Sequence, residues 1–221
     1  MVLMVDNSPT AILIPTCIFD FLQDTDDYYF PAFTGNYFRL VRVLNMIAVI
    51  FLTPTYLLMA EGCIPVYSKL KFFIPDEGYA IPLFVQFILL EFAIDALKLA
   101  SLNTPSSLGM SLSVIGALIL GQFAVDSGWF IPQTILCMAV LALAAFTQPS
   151  IELGYAIKFM RVLILIGVAI LGIWGALIAI ILNCILLATT KNIVGESYLY
   201  PLIPFHWDPL KKLLFRTRKP E

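Results

Sequence analysis

Histidine is almost missing from this chain: His206 is the one imidazole among 221 residues. A lone His cannot build a metal site of the usual kind, and no His-Glu-x-x-His, Gly-x-Ser-x-Gly or phosphate-cradling glycine loop occurs. Beside Trp207, His206 reads as an interfacial residue, so the expectation is a protein that is no enzyme and uses no cofactor or metal. The four cysteines, Cys17, Cys63, Cys137 and Cys184, are too far apart for a zinc spacing or a disulfide framework and read as isolated thiols. Charge is scarce as well, at 13% of residues, where a soluble domain carries about 25%. No Lys/Arg cluster is interleaved with aromatics, so no nucleic-acid partner is expected. No basic stretch precedes an apolar core at the start, so insertion must come from internal segments.

What replaces charge is apolar surface, at 60% of the residues against about 45–50% in soluble domains. Several stretches reach the roughly 18 residues that cross a hydrocarbon layer about 30 Å thick. The expected fold is all-α, a polytopic helical membrane protein with a short N-terminal β-hairpin, and its main partner is the lipid bilayer. Val2 to Val5 and Ala11 to Ile14 flank the turn composition Asp-Asn-Ser-Pro. A lone hairpin is unstable in water, so this one reads as the remnant of a larger upstream domain, and the chain as a fragment. Residues 17–38 mix Asp20, Asp24, Asp26 and Asp27 with many aromatics, which suits a segment lying at headgroup level. The acids lack the spacing of a calcium loop and read as solvated or helix-capping. The chain therefore divides into 1–38, the domain remnant; 39–191, the helical membrane domain; and 192–221, an interfacial aromatic stretch with a basic end.

Five hydrophobic segments are expected between 39 and 191. The first, Val43 to Ala60, is entered by Arg39 and Arg42 and contains Pro54, which bends a helix or frees a carbonyl. The second, Ile81 to Leu99, carries Glu91, Asp95 and Lys98. In the third, Leu108 to Val125, Gly109, Ser113, Ala117 and Gly121 fall four apart and let another helix approach closely. The fourth, Phe130 to Phe146, opens with Pro132 in its first turn. The fifth, Val162 to Thr190, is uncharged and as one helix would be about 43 Å long, so it must tilt or project. Arg39, Arg42 and the basic tail all favour the inner face, which needs an even number of crossings. Five segments conflict with that, and segment three is the candidate to enter and leave by one face; the alternative is a tail that lies outside.

Glu91 and Asp95 are four apart on one helical face and Lys98 three further on. An ionised group at mid-bilayer costs about 2.5–3.5 kcal/mol on insertion scales, so the cluster must face protein or water. Two readings stay open: a water-filled path, or an interhelical ion pair with Arg161 or Lys158. Gln122 and Asp126, with Gln133 across a short turn, form a second polar patch that is either a pore mouth or a capped loop. Glu152, after Ser150, sits where helix caps do.

Several blocks carry a resemblance: Val-Asp-Asn-Ser-Pro-Thr-Ala-Ile-Leu-Ile-Pro (5–15), Asp-Tyr-Tyr (27–29), Phe-Arg-Leu-Val-Arg (38–42) and Leu-Thr-Pro-Thr-Tyr (52–56). Leu-Leu-Glu-Phe (89–92), Ile-Gly-Ala-Leu-Ile-Leu-Gly-Gln-Phe-Ala-Val (115–125) and Tyr-Leu-Tyr-Pro-Leu-Ile-Pro (198–204) follow in the same order. In these the chain resembles the membrane region of the GerA-type spore germination proteins, the A-subunit family, and within it the SpoVAF-like branch. The resemblance implies a protein of the spore inner membrane that forms homo-oligomers, works with other germination-complex membrane subunits, and releases monovalent cations through a channel-like complex. Glu91, Asp95 and Gln122 are then the candidate cation pathway. Gly109, Ser113, Ala117 and Gly121, with Gly167 and Gly175 of segment five, are candidate helix-packing positions. The alternatives are a non-conducting scaffold subunit, using segment three and the Gly167, Gly175, Ala179 face as contact surfaces, and a proton-coupled transporter relaying through Glu91 and Asp95. No internal repeat of the kind transporters show is visible.

Overall fold

Long apolar runs bounded by proline and glycine become helices in the computed structural model. It describes residues 2–4, 6–7, 11–24, 26–66, 73–75, 79–103, 116, 118–192, 195, 197–202 and 205–207. The hairpin is present: β1 (Val2–Met4) pairs antiparallel with β2 (Ala11–Leu13), Val2 opposite Leu13, and Asn7 takes a left-handed φ of 63° in the connection. A short helix α1 (Asp26–Tyr29) follows, and after Pro31 a single helix α2 runs for 29 residues, Ala32–Ala60. The aromatic stretch thus does not lie apart from the first hydrophobic segment. Its residues 32–38 are the opening turns of that same helix, about 43 Å long in all. Pro54 sits inside α2, where it removes the N–H that would bond the Ile50 carbonyl. The Thr55 hydroxyl lies 2.7 Å from the Phe51 carbonyl one turn back.

Helix α3 spans Leu83–Asn103, and a wide turn at Ile119–Phe123 leads into the single-turn α4 (Ala124–Asp126). Helix α5 (Pro132–Ala145) has Pro132 in its first turn, as its missing N–H predicts. Helix α6 (Ile151–Leu171) is capped by the Ser150 hydroxyl, which accepts from the Leu153 amide at 3.2 Å. The expected single helix from Val162 to Thr190 does not form. Gly172 adopts φ +59°, ends α6 and starts α7 (Ile173–Thr189), which folds back along it. The Asn183 amide donates to the Met160 carbonyl at 3.1 Å across this helical hairpin. At its neck a Cβ on Gly167 would lie 2.5 Å from the Gly175 carbonyl oxygen, and one on Gly175 would strike the Gly167 carbonyl. Gly167 and Gly175 therefore pack against each other, and the face expected to meet a partner is internal to the chain.

Of segment three, Gly116 and residues 118–125 are among the described residues. Gly109, Ser113 and Ala117 lie outside the described residues. A Cβ added to Gly121 would meet nothing within 4 Å, whereas one on Gly116 would press on Leu97 of α3, at 2.6 Å from its Cδ2. Gln86 in the first turn of α3 meets the start of α5, and Lys98 lies over Phe146 at its end, so α3 and α5 run in the same direction. The chain between them passes Leu97 at Gly116 and reaches α5 where the Phe130 amide donates to the Ala124 carbonyl. The described part of segment three, from Gly116 to Ala124, thus runs antiparallel to α3. The fifth run is two helices, α6 and α7, folded on each other. The Ile18 amide donates to the Tyr198 carbonyl at 3.2 Å, which brings the residues after α7 beside those before α2. The basic residues Lys211, Lys212, Arg216, Arg218 and Lys219 lie outside the described residues.

The main core gathers Leu57 of α2, Phe87 of α3, Met138 of α5, Leu165 and Val168 of α6 and Ala179 of α7. Tyr56 and Phe87 meet edge to face at 5.8 Å. The outside is apolar too: Phe92, Leu143, Ile170 and Trp174 are all exposed. Helices α2 and α6 are long and apolar enough to cross a bilayer; α5 and α7 are shorter apolar helices. Such an exterior suits lipid and not water, and the chain is a helical membrane protein. Replacing Gly175 by Val should force α6 and α7 apart and cost about 1–3 kcal/mol, the usual range for overpacking. Thermal unfolding in nanodiscs should show a lower midpoint for Gly175→Val and an unchanged one for Gly121→Ala.

Candidate functional site: a charged seam between two apolar helices

Glu91 and Asp95 stand one turn apart on α3, and Lys158 and Arg161 three apart on α6, so antiparallel packing brings the four into one seam. The Arg161 guanidinium binds the Glu91 carboxylate directly, and Lys158 binds Asp95 while lying 3.6 Å from Glu91. Arg161 is only 3% exposed, and its Nη1 reaches the Val49 carbonyl of α2 at 3.4 Å. One guanidinium therefore joins three helices. Of the two readings left open by the sequence, the described geometry is that of the interhelical ion pair.

The seam opens into a cavity of about 290 Å³ lined by Glu91, Asp95, Lys98, Lys158 and Arg161 on one side and by Leu141, Ala145 and Phe146 on the other. Glu91 is buried at the inner end, whereas the Asp95 side chain is 27% exposed. Lys98 places its ammonium 5.4 Å from the centre of the Phe146 ring. Gln122 does not join this group: it is exposed on the wide turn at Ile119–Phe123, with Asp126 exposed just beyond and Gln133 half-buried in α5. Among the described residues, no group of three or more His, Cys, Asp and Glu is placed to hold a metal ion.

A second charged cluster has no counterpart in the sequence reading. Asp27, expected as a solvated acid, is completely buried. Arg42 donates to it at 2.8 Å and to the Leu22 carbonyl at 2.8 Å, and Arg39 lies 3.3 Å from the same carboxylate. Asp24 adds a longer contact to Arg42 at 3.7 Å. Gly35 is needed here because a Cβ would collide with the Asp27 carbonyl. The signal was a pair of arginines three apart, both on the inner face of α2. The two clusters are linked: the Gln148 amide, on the wall of the cavity, donates to the Arg42 carbonyl at 3.3 Å.

Gln86 was also missed. Fully buried, it donates to the Ile81 carbonyl at 2.8 Å and accepts from the Ile131 amide at 3.1 Å, with the Thr134 hydroxyl 2.9 Å away. It thereby ties the start of α3 to the start of α5, and a glutamine inside an otherwise apolar first turn was the clue. Removing one partner of a buried ion pair costs about 3–5 kcal/mol because the other is left uncompensated. Glu91→Gln and Asp27→Asn should each lower the unfolding midpoint strongly, while Asp126→Asn, at an exposed site, should leave it within error in the same thermal assay.

The family profile described as "Bacillus/Clostridium GerA spore germination protein" matches residues 1–221. Among curated proteins, the chain is 32% identical over 220 residues to Stage V sporulation protein AF of Bacillus subtilis (strain 168), covering 100% of this chain and 44% of that protein. It is 27% identical to Spore germination protein KA of the same organism, covering 97% of this chain and 40% of that one. It is 24% identical to Uncharacterized membrane protein YfkQ, also of Bacillus subtilis (strain 168), over 97% of this chain and 44% of the relative. The chain thus spans less than half the length of these relatives. No solved structure matches. With the whole chain matched and the membrane-helix architecture in place, this protein belongs to the GerA family of spore germination proteins.

Proposed function

We propose that the chain is a multi-pass subunit of the spore inner membrane that assembles with copies of itself and with other germination membrane subunits into a complex conducting monovalent cations. The observation that carries this reading is the position of Asp95, a part-exposed carboxylate on a cavity within otherwise apolar helices. Intramembrane carboxylates are costly and mark ion paths when they face water. In this reading Glu91, held by Arg161, fixes the helices, and Asp95, paired with Lys158 but the more exposed of the two, is the carboxylate that meets a passing cation. The division of the fifth run into α6 and α7, with the residues before α2 and after α7 side by side, supports a topology with both ends on one face.

A second reading, a non-conducting scaffold, is favoured by the charge balance of the seam. Both carboxylates already have cationic partners, and the cavity lining carries three basic side chains against two acids, unlike the acidic rings that select cations. Rubidium flux through proteoliposomes separates the two readings. A conducting subunit should lose flux or cation preference in Asp95→Asn at equal incorporated protein, while its thermal midpoint falls less than that of Glu91→Gln. Absence of flux from wild-type and variant alike, with oligomers intact, favours the scaffold.

A further inference from the structure

A second cavity, of about 340 Å³, lies on the opposite side of α6 from the charged seam. Its walls are Met46 and Ile50 of α2, Ala156 and Met160 of α6, Leu187 of α7 and Phe21 of the segment before α2. Its lining is almost wholly apolar, and among the described residues no Lys, Arg or His lies on it. Water is held in a cavity by two to four polar partners; beyond the mouth, where Glu152 and Tyr198 sit, the lining side chains are all apolar, and an unfilled apolar space leaves its lining without dispersion contacts. The occupant must therefore be apolar.

Geometry narrows the choice further. From Glu152, in the first turn of α6, to Met160 the helix advances about 12 Å, the reach of roughly the first ten carbons of an extended chain. The end marked by Glu152 and Tyr198 is the end where the residues before α2 meet those after α7, with aromatic residues of the kind that sit at headgroup level. The slot thus starts at the membrane surface and runs inward, as an acyl chain does. Glu152 is exposed at the mouth, its carboxylate accepting a 2.8 Å hydrogen bond from the Ser150 hydroxyl, and the positive end of α6 supports its charge. A carboxylate there repels a purely anionic headgroup and attracts an ammonium.

We propose that this cavity is a lipid site, which takes one acyl chain of an aminophospholipid of the phosphatidylethanolamine class and binds its ammonium at Glu152. The lipid then bridges α2, α6, α7 and the segment before α2. The site is separate from Asp95 and does not depend on conduction.

The test is photolabelling of the protein in bilayers doped with phosphatidylethanolamine that carries a diazirine on its acyl chain, with labelled peptides mapped by mass spectrometry. Met46 and Met160 should be labelled, and Ala156→Phe, which fills the slot, should reduce that labelling about tenfold while labelling of the exposed Ile181 on α7 persists as an internal control. Glu152→Gln, or the same probe on phosphatidylglycerol, should reduce labelling by a similar factor. Labelling of Met46 and Met160 that is absent, or unaffected by Ala156→Phe, overturns the acyl site. Labelling removed by Ala156→Phe but equal for the two lipid classes overturns the headgroup assignment at Glu152.

Discussion

Arg161 sits at 3% exposure between three helices, and a guanidinium in that position must be neutralised locally. Glu91 of α3 supplies the charge and the Val49 carbonyl of α2 a further acceptor. Satisfying one buried cation thereby fixes the rotation of α3 about its axis, the register of α3 against α6, and the approach of α2. Apolar side chains alone specify this poorly, because lipid tails are as apolar as the residues they compete with. The antiparallel register that joins Glu91 to Arg161 is also what brings Lys158 to Asp95 and opens the cavity beside it.

The same logic recurs at the end of the helix bundle. Asp27 holds Arg39 and Arg42 and so anchors the segment before α2 onto the helix that follows it. Gln148, bonded to the Arg42 carbonyl, carries that anchor to the wall of the cavity. Polar contacts thus run from the segment ahead of the membrane helices to the charged seam. Around them the apolar core, from Leu57 through Phe87 to Val168, supplies bulk cohesion without setting which face meets which.

Much of this was legible in the sequence. Hydropathy located the segments, Pro132 and Ser150 marked helix starts, and the four-residue spacing of Glu91 and Asp95 placed them on one face with Arg161 or Lys158 named as partners. The break at Gly172 was not legible, because an uncharged run reads the same as one long helix or as two folded on each other. The difference lies in a single φ of +59° and in two glycines, Gly167 and Gly175, that permit backbone contact. Asp27 was misread because an acid among aromatics has the composition of a surface segment, and nothing local shows that arginines twelve and fifteen residues on turn toward it. In segment three, among the described residues, the close approach is at Gly116 against Leu97, while Gly121 of the four-residue stripe has open space beside it.

The most direct measurement of the central claim is a double-mutant cycle on Glu91 and Arg161, with Glu91→Gln, Arg161→Met and the pair compared by reversible unfolding in bilayer-mimetic conditions. If the two side chains hold α3 to α6 within one chain, each single substitution is strongly destabilising and the double variant recovers much of the loss, with a coupling energy of about 2–3 kcal/mol. Losses that simply add, to within about 0.5 kcal/mol, would contradict the account and leave both residues free to face something other than each other.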